Sequence, residues 1–407
     1  KTARPLLPWV RLAPHPPDRG LGEARGLPLG NHGSCKHQAS SATRPRVQQR
    51  SLRTTKLLSD LKWSGRPSST ALISTACGPS PSASLSRSTQ ASRCLTGGFI
   101  GIDIFFVISG FLITRVLLQE IDDHGTIRLG RFGARRIRRL LPASTLVVLA
   151  TIGATALLLS PTSWRAAGEA GTWAAAYGQN VFLAVEDADY FTVGAQNPFL
   201  HFWSLAVEEQ FYVVWPIVMV GLSTIARRYP RPHLLTGGLV ILAAASFVHS
   251  IQLTNDGSVW ASYSPLSRGW EFAAGGLLAI ASPTIARHLK AWAVSVATVA
   301  GIALVTYSLV TLNSATPFPG WRAVPPVLGT LLLLAANNGP NTLVGRLLAL
   351  PPVQWLEHVS YGWYFWHFPF LIIAEQHSTS FGPGRRLIAV MATLGVAGIS
   401  CHLFEHP

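Results

Sequence analysis

The chain has 407 residues, 48% hydrophobic and only 13% charged, where a soluble domain carries about 25% charged residues. That deficit excludes an ordinary soluble protein and points to a membrane protein. The formal charge of +15 does not mark a nucleic-acid binder: 15 of the 33 Lys and Arg, but only 3 of the 18 Asp and Glu, fall in residues 1–95.

Residues 1–95 are rich in Ser, Arg, Pro and Gly, with neither a helical nor a strand period and no apolar run long enough for a signal peptide or a span. Two readings fit: a disordered basic tail drawn to anionic lipid, or a segment outside the natural coding frame, from a frame error or a wrong start site. The change of character at Leu95–Gly98 is abrupt, and residues 96–407 are expected to form the membrane domain. Cys35, Cys77, Cys94 and Cys401 show no CxxC or Cys/His spacing, so neither a disulfide framework nor a metal site is expected.

The first span is expected at about 99–118. Asp103 in its first turn is accounted for equally by capping and by function, and Ser109–Gly110 permits close helix approach. A polar loop follows to Arg139, ending in Arg135, Arg136, Arg138 and Arg139. Paired i,i+3 guanidinia suit phosphate, and an ordinary positive-inside anchor accounts for them too. Span two is expected at 140–160, and 171–185 reads as a re-entrant or interfacial piece. Further spans are expected at 203–222, 234–251, 270–281, 291–312, 324–337, 361–374 and 387–404. The fold class is thus an all-α polytopic bundle of nine to ten spans. If 171–185 does not cross, the basic segments 128–139, 227–231, 287–290 and Arg346 share one side, which favours nine.

The stretch His201–Pro216 organises the domain. It opens an apolar helix with His201, Trp203, Ser204, Glu208, Glu209 and Gln210. At about 3.6 residues per turn, His201, Ser204 and Glu208 lie near one stripe. Ionisable groups inside an apolar run are usually there to bind or react. Arg268 and Glu271 are i,i+3 and able to pair with each other. Tyr361 and His367 sit in a Trp/Tyr-rich helix, which fits an interfacial belt or packed core as well as a site.

Four segments, Gly97–Thr114, Arg135–Pro142, His201–Tyr212 and Ser360–Pro369, together resemble the acyltransferase-3 family of integral-membrane O-acyltransferases. The resemblance implies transfer of an acyl group, often acetyl, from acyl-coenzyme A to a hydroxyl of a cell-envelope carbohydrate or glycolipid. The carrier is a co-substrate, no bound cofactor is implied, and the setting is the inner (plasma) membrane with no nucleic-acid partner. It implies that Arg136 and Arg139 recognise the carrier, and it carries His201, Trp203, Ser204, Glu208 and Gln210 into the site. It also implies a leading helix with an Arg and a His base, which residues 1–95 do not contain, so the domain is expected to lack its first helix. Near Phe404–Pro407 many members continue into a linker or a further domain. The expected mechanism has His201 and Glu208 positioning or polarising the acceptor. The rival readings are an inactive product of a damaged gene, and a transporter or flippase of acyl or lipid-linked groups.

Overall fold

The computed structural model describes residues 97–188, 197–229, 233–337, 350–377 and 382–400. The expectations for residues 1–95 and for Arg346 lie outside this range. Among the described residues every regular element is helical: α1 Gly101–His124, α2 Leu129–Leu158, α3 Pro161–Ala175, α4 Gln179–Val185, α5 Phe202–Arg228, α6 Leu234–Asn255, α7 Trp260–Tyr263, α8 Pro265–His288, α9 Ala291–Thr311, α10 Val324–Asn337, α11 Pro351–His377 and α12 Pro383–Ser400.

Among the described residues, five helical stretches are long and apolar enough to cross a membrane: Gly98–His124, Leu129–Leu158, Phe202–Ala226, Leu234–Asn255 and Ala291–Thr311. The expected count of nine to ten is not reached on this criterion. The expected spans at 270–281, 324–337 and 361–374 are helical, in α8, α10 and α11, and so is the described part of 387–404, in α12. α8 is not among the five; its Arg268 and Glu271 are buried against partners inside the bundle. The basic run expected in a loop is instead the first turns of α2. Arg is a good helix former, so nothing in that run stops the helix.

Contacts fix the helix directions. Phe106 meets Trp203, Ser109 meets Glu208 and Thr114 meets Trp215, so α1 and α5 run the same way. α8 runs with them, from Asp103–Arg268 to Thr114–Gly276. α2 runs oppositely: Arg136 near its start lies on Tyr212, while Ile152 near its far end borders Gly171, which also borders Phe199 just ahead of α5. α11 is likewise reversed, with Phe365 on Phe202 and His367 and Phe368 on His201. The bundle therefore has a basic end, with Arg128–Arg138, Arg228 and Arg287, and a His201 end. α12 returns along α11, placing the Arg386–Glu375 pair (3.4 Å) at the His201 end.

α1 and α8 cross in close contact. A Cβ on Gly110 would collide with the Phe272 backbone, and one on Gly275 with the Val107 carbonyl. Small residues let backbones approach and replace apolar attraction, which is weak between helices in lipid, with dense packing. Ser264 caps α8, accepting from Leu266 N at 3.2 Å with Pro265 at the first helical position, which sets Arg268 in the first turn.

The α3–α4 segment turns back on itself. It enters from the His201 end, where Pro161 follows α2. It reaches the level of Ser144, where the Tyr177 hydroxyl donates to Ser144 Oγ at 3.0 Å. It then returns, so that Ala188 accepts from the Tyr263 hydroxyl at 2.9 Å. This hairpin overlaps the 171–185 piece and leaves the basic flanks of α2 and α5 at one end.

Candidate functional site

The central cluster joins three helices. Glu208 on α5 accepts from the Ser109 hydroxyl of α1 at 2.7 Å and from the Tyr212 hydroxyl one turn along its own helix. Tyr212 also donates to Ser109 Oγ at 3.1 Å. Arg136 of α2 places its guanidinium 3.4 Å from the centre of the Tyr212 ring and Nη2 3.9 Å from the Glu208 carboxylate. Arg136 and Glu208 are both about 5% exposed. A carboxylate in a dry bundle needs donors and a counter-charge, and here it has both. Tyr361 of α11 is buried within electrostatic reach of Arg136.

A second cluster lies towards the His201 end. Arg268 Nη1 donates to Asp103 at 2.8 Å and to Glu271 at 3.0 Å, and Nε donates to the Ser262 carbonyl at 3.2 Å. The three charged side chains are at most 3% exposed. Trp203 lies beside the guanidinium, 5.8 Å away, and packs edge-on against Tyr263. Asp103 is therefore held in an inter-helix ion pair rather than left to face the helix N-terminus alone.

The third cluster is at the His201 end. His201 and His367 have ring centres 5.7 Å apart. Ser204 and Tyr364 share a short hydroxyl contact, and Tyr364 also donates to the His201 carbonyl at 3.0 Å. His201 stands one residue ahead of the apolar run of α5. Burial first, and then the neighbouring His367, hold its imidazole well below the ordinary histidine range.

Gln210 anchors the re-entrant hairpin. It exchanges amide hydrogen bonds with Asn180 (2.9 and 3.3 Å) and donates to the Tyr177 carbonyl at 3.1 Å. Burial pushes the Tyr177 hydroxyl up to about 12, so it stays a donor to Ser144. Tyr177 has φ +52°, a left-handed backbone that a bulky residue rarely adopts. Gln179, at the same tip, is fully buried with neither amide atom hydrogen-bonded.

The sequence-derived residues therefore separate. Arg136, Glu208 and Tyr361 converge; Asp103, Trp203, Arg268 and Glu271 converge; His201, Ser204 and His367 converge. Glu208 and His201 are not partners: they are seven residues, or about 10 Å of helix rise, apart. Arg135 is half-exposed with Nη2 3.9 Å from Glu120, and exposed Arg138 bonds only to its own helix. Arg139 lies on α2, and its side chain is outside the described residues. Sequence reasoning missed Tyr212, Tyr364, Asn180, Tyr177 and Gln179. The first two lie at helical spacing from Glu208 and His367, and that spacing was the available signal.

This is a polytopic helical membrane protein with a buried, charge-lined core running between a basic end and a histidine-bearing end. The chain belongs to the acyltransferase-3 family: residues 70–403 match the family described as acyltransferase domain. A Staphylococcus aureus (strain COL) protein whose name proposes an O-acetyltransferase is 33% identical over 294 residues, covering 70% of this chain and 47% of that protein. The peptidoglycan O-acetyltransferase OatA of Listeria monocytogenes is 29% identical over 329 residues, covering 76% of this chain and 51% of its own. A Bacillus subtilis (strain 168) protein whose name proposes a peptidoglycan O-acetyltransferase is 29% identical over 324 residues, 76% and 50%. The chain thus spans about half the length of the curated relatives it matches. No solved structure matches it significantly.

Proposed function

We propose that this chain is the membrane part of an O-acyltransferase that moves an acetyl group from acetyl-coenzyme A to a hydroxyl of a cell-envelope carbohydrate, with peptidoglycan the acceptor that the relatives' names favour. The observation that carries this reading is the Arg136–Glu208 link, a buried charge pair joining the basic end to the helix that begins at His201.

By the Lys/Arg rule the basic end faces the cytoplasm, in the inner membrane, where the carrier is made. Arg135 and Arg138 at the surface, with Arg136 behind them and Arg139 on the same helix, meet the carrier's phosphates through paired donors. The acceptor enters from the His201 end, where His201 and Glu208 position or polarise it. Its hydroxyl oxygen attacks the thioester carbonyl carbon; the C–O bond forms, the C–S bond breaks, and the hydroxyl proton ends on the departing thiol. The resemblance assigns the base to a leading helix that the sequence of residues 1–95 does not supply. Asp103, Arg268, Glu271 and Trp203 fix the α1–α5–α8 wall. Ser204, Tyr361 and His367 hold α11 in place, and Gln210 holds the hairpin. Lipid surrounds the bundle, and neither a bound cofactor nor a nucleic-acid partner belongs to this scheme.

The test is transfer of labelled acetyl from acetyl-coenzyme A to soluble muropeptides by the purified chain in nanodiscs. Ester-linked label on the glycan supports the proposal. With the chain reconstituted in sealed vesicles, label that accumulates inside without ester formation defeats it and favours a transporter.

A further inference from the structure

Two buried imidazoles meet at the His201 end, their rings edge to face at 67° with centres 5.7 Å apart. His367 Nδ1 lies 3.0 Å from the Trp363 carbonyl oxygen one turn back. A carbonyl oxygen only accepts, so Nδ1 carries the proton, and Nε2 of the neutral ring keeps its lone pair.

His201 is the opposite case. It is 6% exposed, and among the described residues neither ring nitrogen has a well-formed hydrogen bond, although the Phe365 backbone lies close enough to act on the ring. Phe202, Phe368 and Tyr364 wall the ring at 4.8, 5.1 and 5.5 Å. The Tyr364 hydroxyl is committed to Ser204 and to the His201 carbonyl. The titratable side chains facing His201 are thus His367 and Tyr364, both from α11, and among the described residues no charged group is noted acting on it. A buried polar ring with two idle nitrogens is unfavourable unless a partner completes it. An N–H···N bond needs ring centres about 5 Å apart, so a small rotation of His201 brings His367 within reach.

We propose that His367 is a positioning residue for His201. Its Nε2 lone pair accepts the His201 N–H, which fixes the His201 tautomer and turns the other nitrogen's lone pair towards the acceptor hydroxyl. The proposal rests on the acyl-transfer reading above.

The experiment is the ¹⁵N NMR tautomer spectrum of His201 in the full chain in nanodiscs, measured for the parent, His367→Gln and His367→Leu beside acetyl transfer to muropeptides. A Gln oxygen can accept where Nε2 did; a Leu cannot. The expected result is a single neutral tautomer in the parent and the Gln variant and exchanging tautomers in the Leu variant. In the Leu variant kcat is expected to fall about 100-fold with KM for acetyl-coenzyme A unchanged, and the Gln variant should recover about 10-fold of that loss. An unchanged His201 spectrum in the Leu variant, or a Gln variant as impaired as Leu, overturns the proposal. If the Leu variant does not fold, the Gln variant decides: a fixed tautomer upholds the pairing and a mixed one overturns it. If even the parent transfers no acetyl, the acyl-transfer reading fails, while the tautomer spectra still decide the pairing.

Discussion

The Arg136 guanidinium sits 3.4 Å from the centre of the Tyr212 ring while its Nη2 is 3.9 Å from the Glu208 carboxylate. One planar cation therefore serves a ring face and an anion on consecutive turns of α5. A Lys ammonium is a point charge and cannot fill both positions with the same geometry. Arg136→Ala should raise the KM for acetyl-coenzyme A at least about 10-fold and lower stability by about 3 kcal/mol, because Glu208 loses its buried counter-charge. Arg136→Lys should fall between the two. Steady-state kinetics beside thermal unfolding in detergent checks both effects, and an Arg136→Ala variant with parental kinetics would remove Arg136 from carrier binding.

Arg268 holds two carboxylates through a single nitrogen, Asp103 at 2.8 Å and Glu271 at 3.0 Å. One cation facing two carboxyl groups in a fully buried place leaves an excess of negative charge unless one of them keeps its proton. Glu271→Gln removes that excess and should leave stability within about 1 kcal/mol of the parent, whereas Arg268→Met strands both carboxylates and should cost about 3–5 kcal/mol. Comparing the two thermal transitions checks this: equal losses would show that the excess charge is not what matters.

Gln179 buries an amide with no hydrogen-bond partner at the tip of the α3–α4 hairpin. An unmade hydrogen bond in a buried place costs about 1–3 kcal/mol, and an apolar group of similar shape avoids the loss. Gln179→Met should therefore stabilise the protein by about 1 kcal/mol, read as a higher denaturation midpoint. A lower midpoint would mean that the amide is satisfied in the working protein.

His201 is held neutral by burial, with a folded pKa below that of the unfolded chain. Below about pH 6.5 the unfolded chain gains a proton at this position that the folded chain refuses, so stability is lost as pH falls, by at most about 1.4 kcal/mol per pH unit. Between pH 7 and 5 the parent should lose more stability than His201→Phe. Parallel pH curves for the two proteins would contradict a buried neutral His201.

Much of the helix pattern was legible because it is local. Apolar runs and the arginines ahead of Leu140 are read one turn at a time. The polar loop expected to reach Arg139 was misplaced because Arg favours both a helix and a charged membrane flank, and sequence alone does not choose between them. α8 is less apolar than its neighbours for a related reason: its Arg268 is held by Asp103 on another helix, which no window along α8 contains.

The site divided in the same way. The sequence determined which residues are chemically costly in an apolar chain, since an ionisable group two turns inside a greasy run stands out wherever its neighbours lie. It also determined the family, because ordered motifs survive in one dimension. Only the tertiary structure decided the partners: Glu208 goes to Arg136 and Ser109 rather than to His201, and Gln210 goes to Asn180. The physical reason is range. A helix fixes which side chains share a face, but a buried charge or lone pair is satisfied within about 3–4 Å, and across such a gap the partner is set by how separate helices cross.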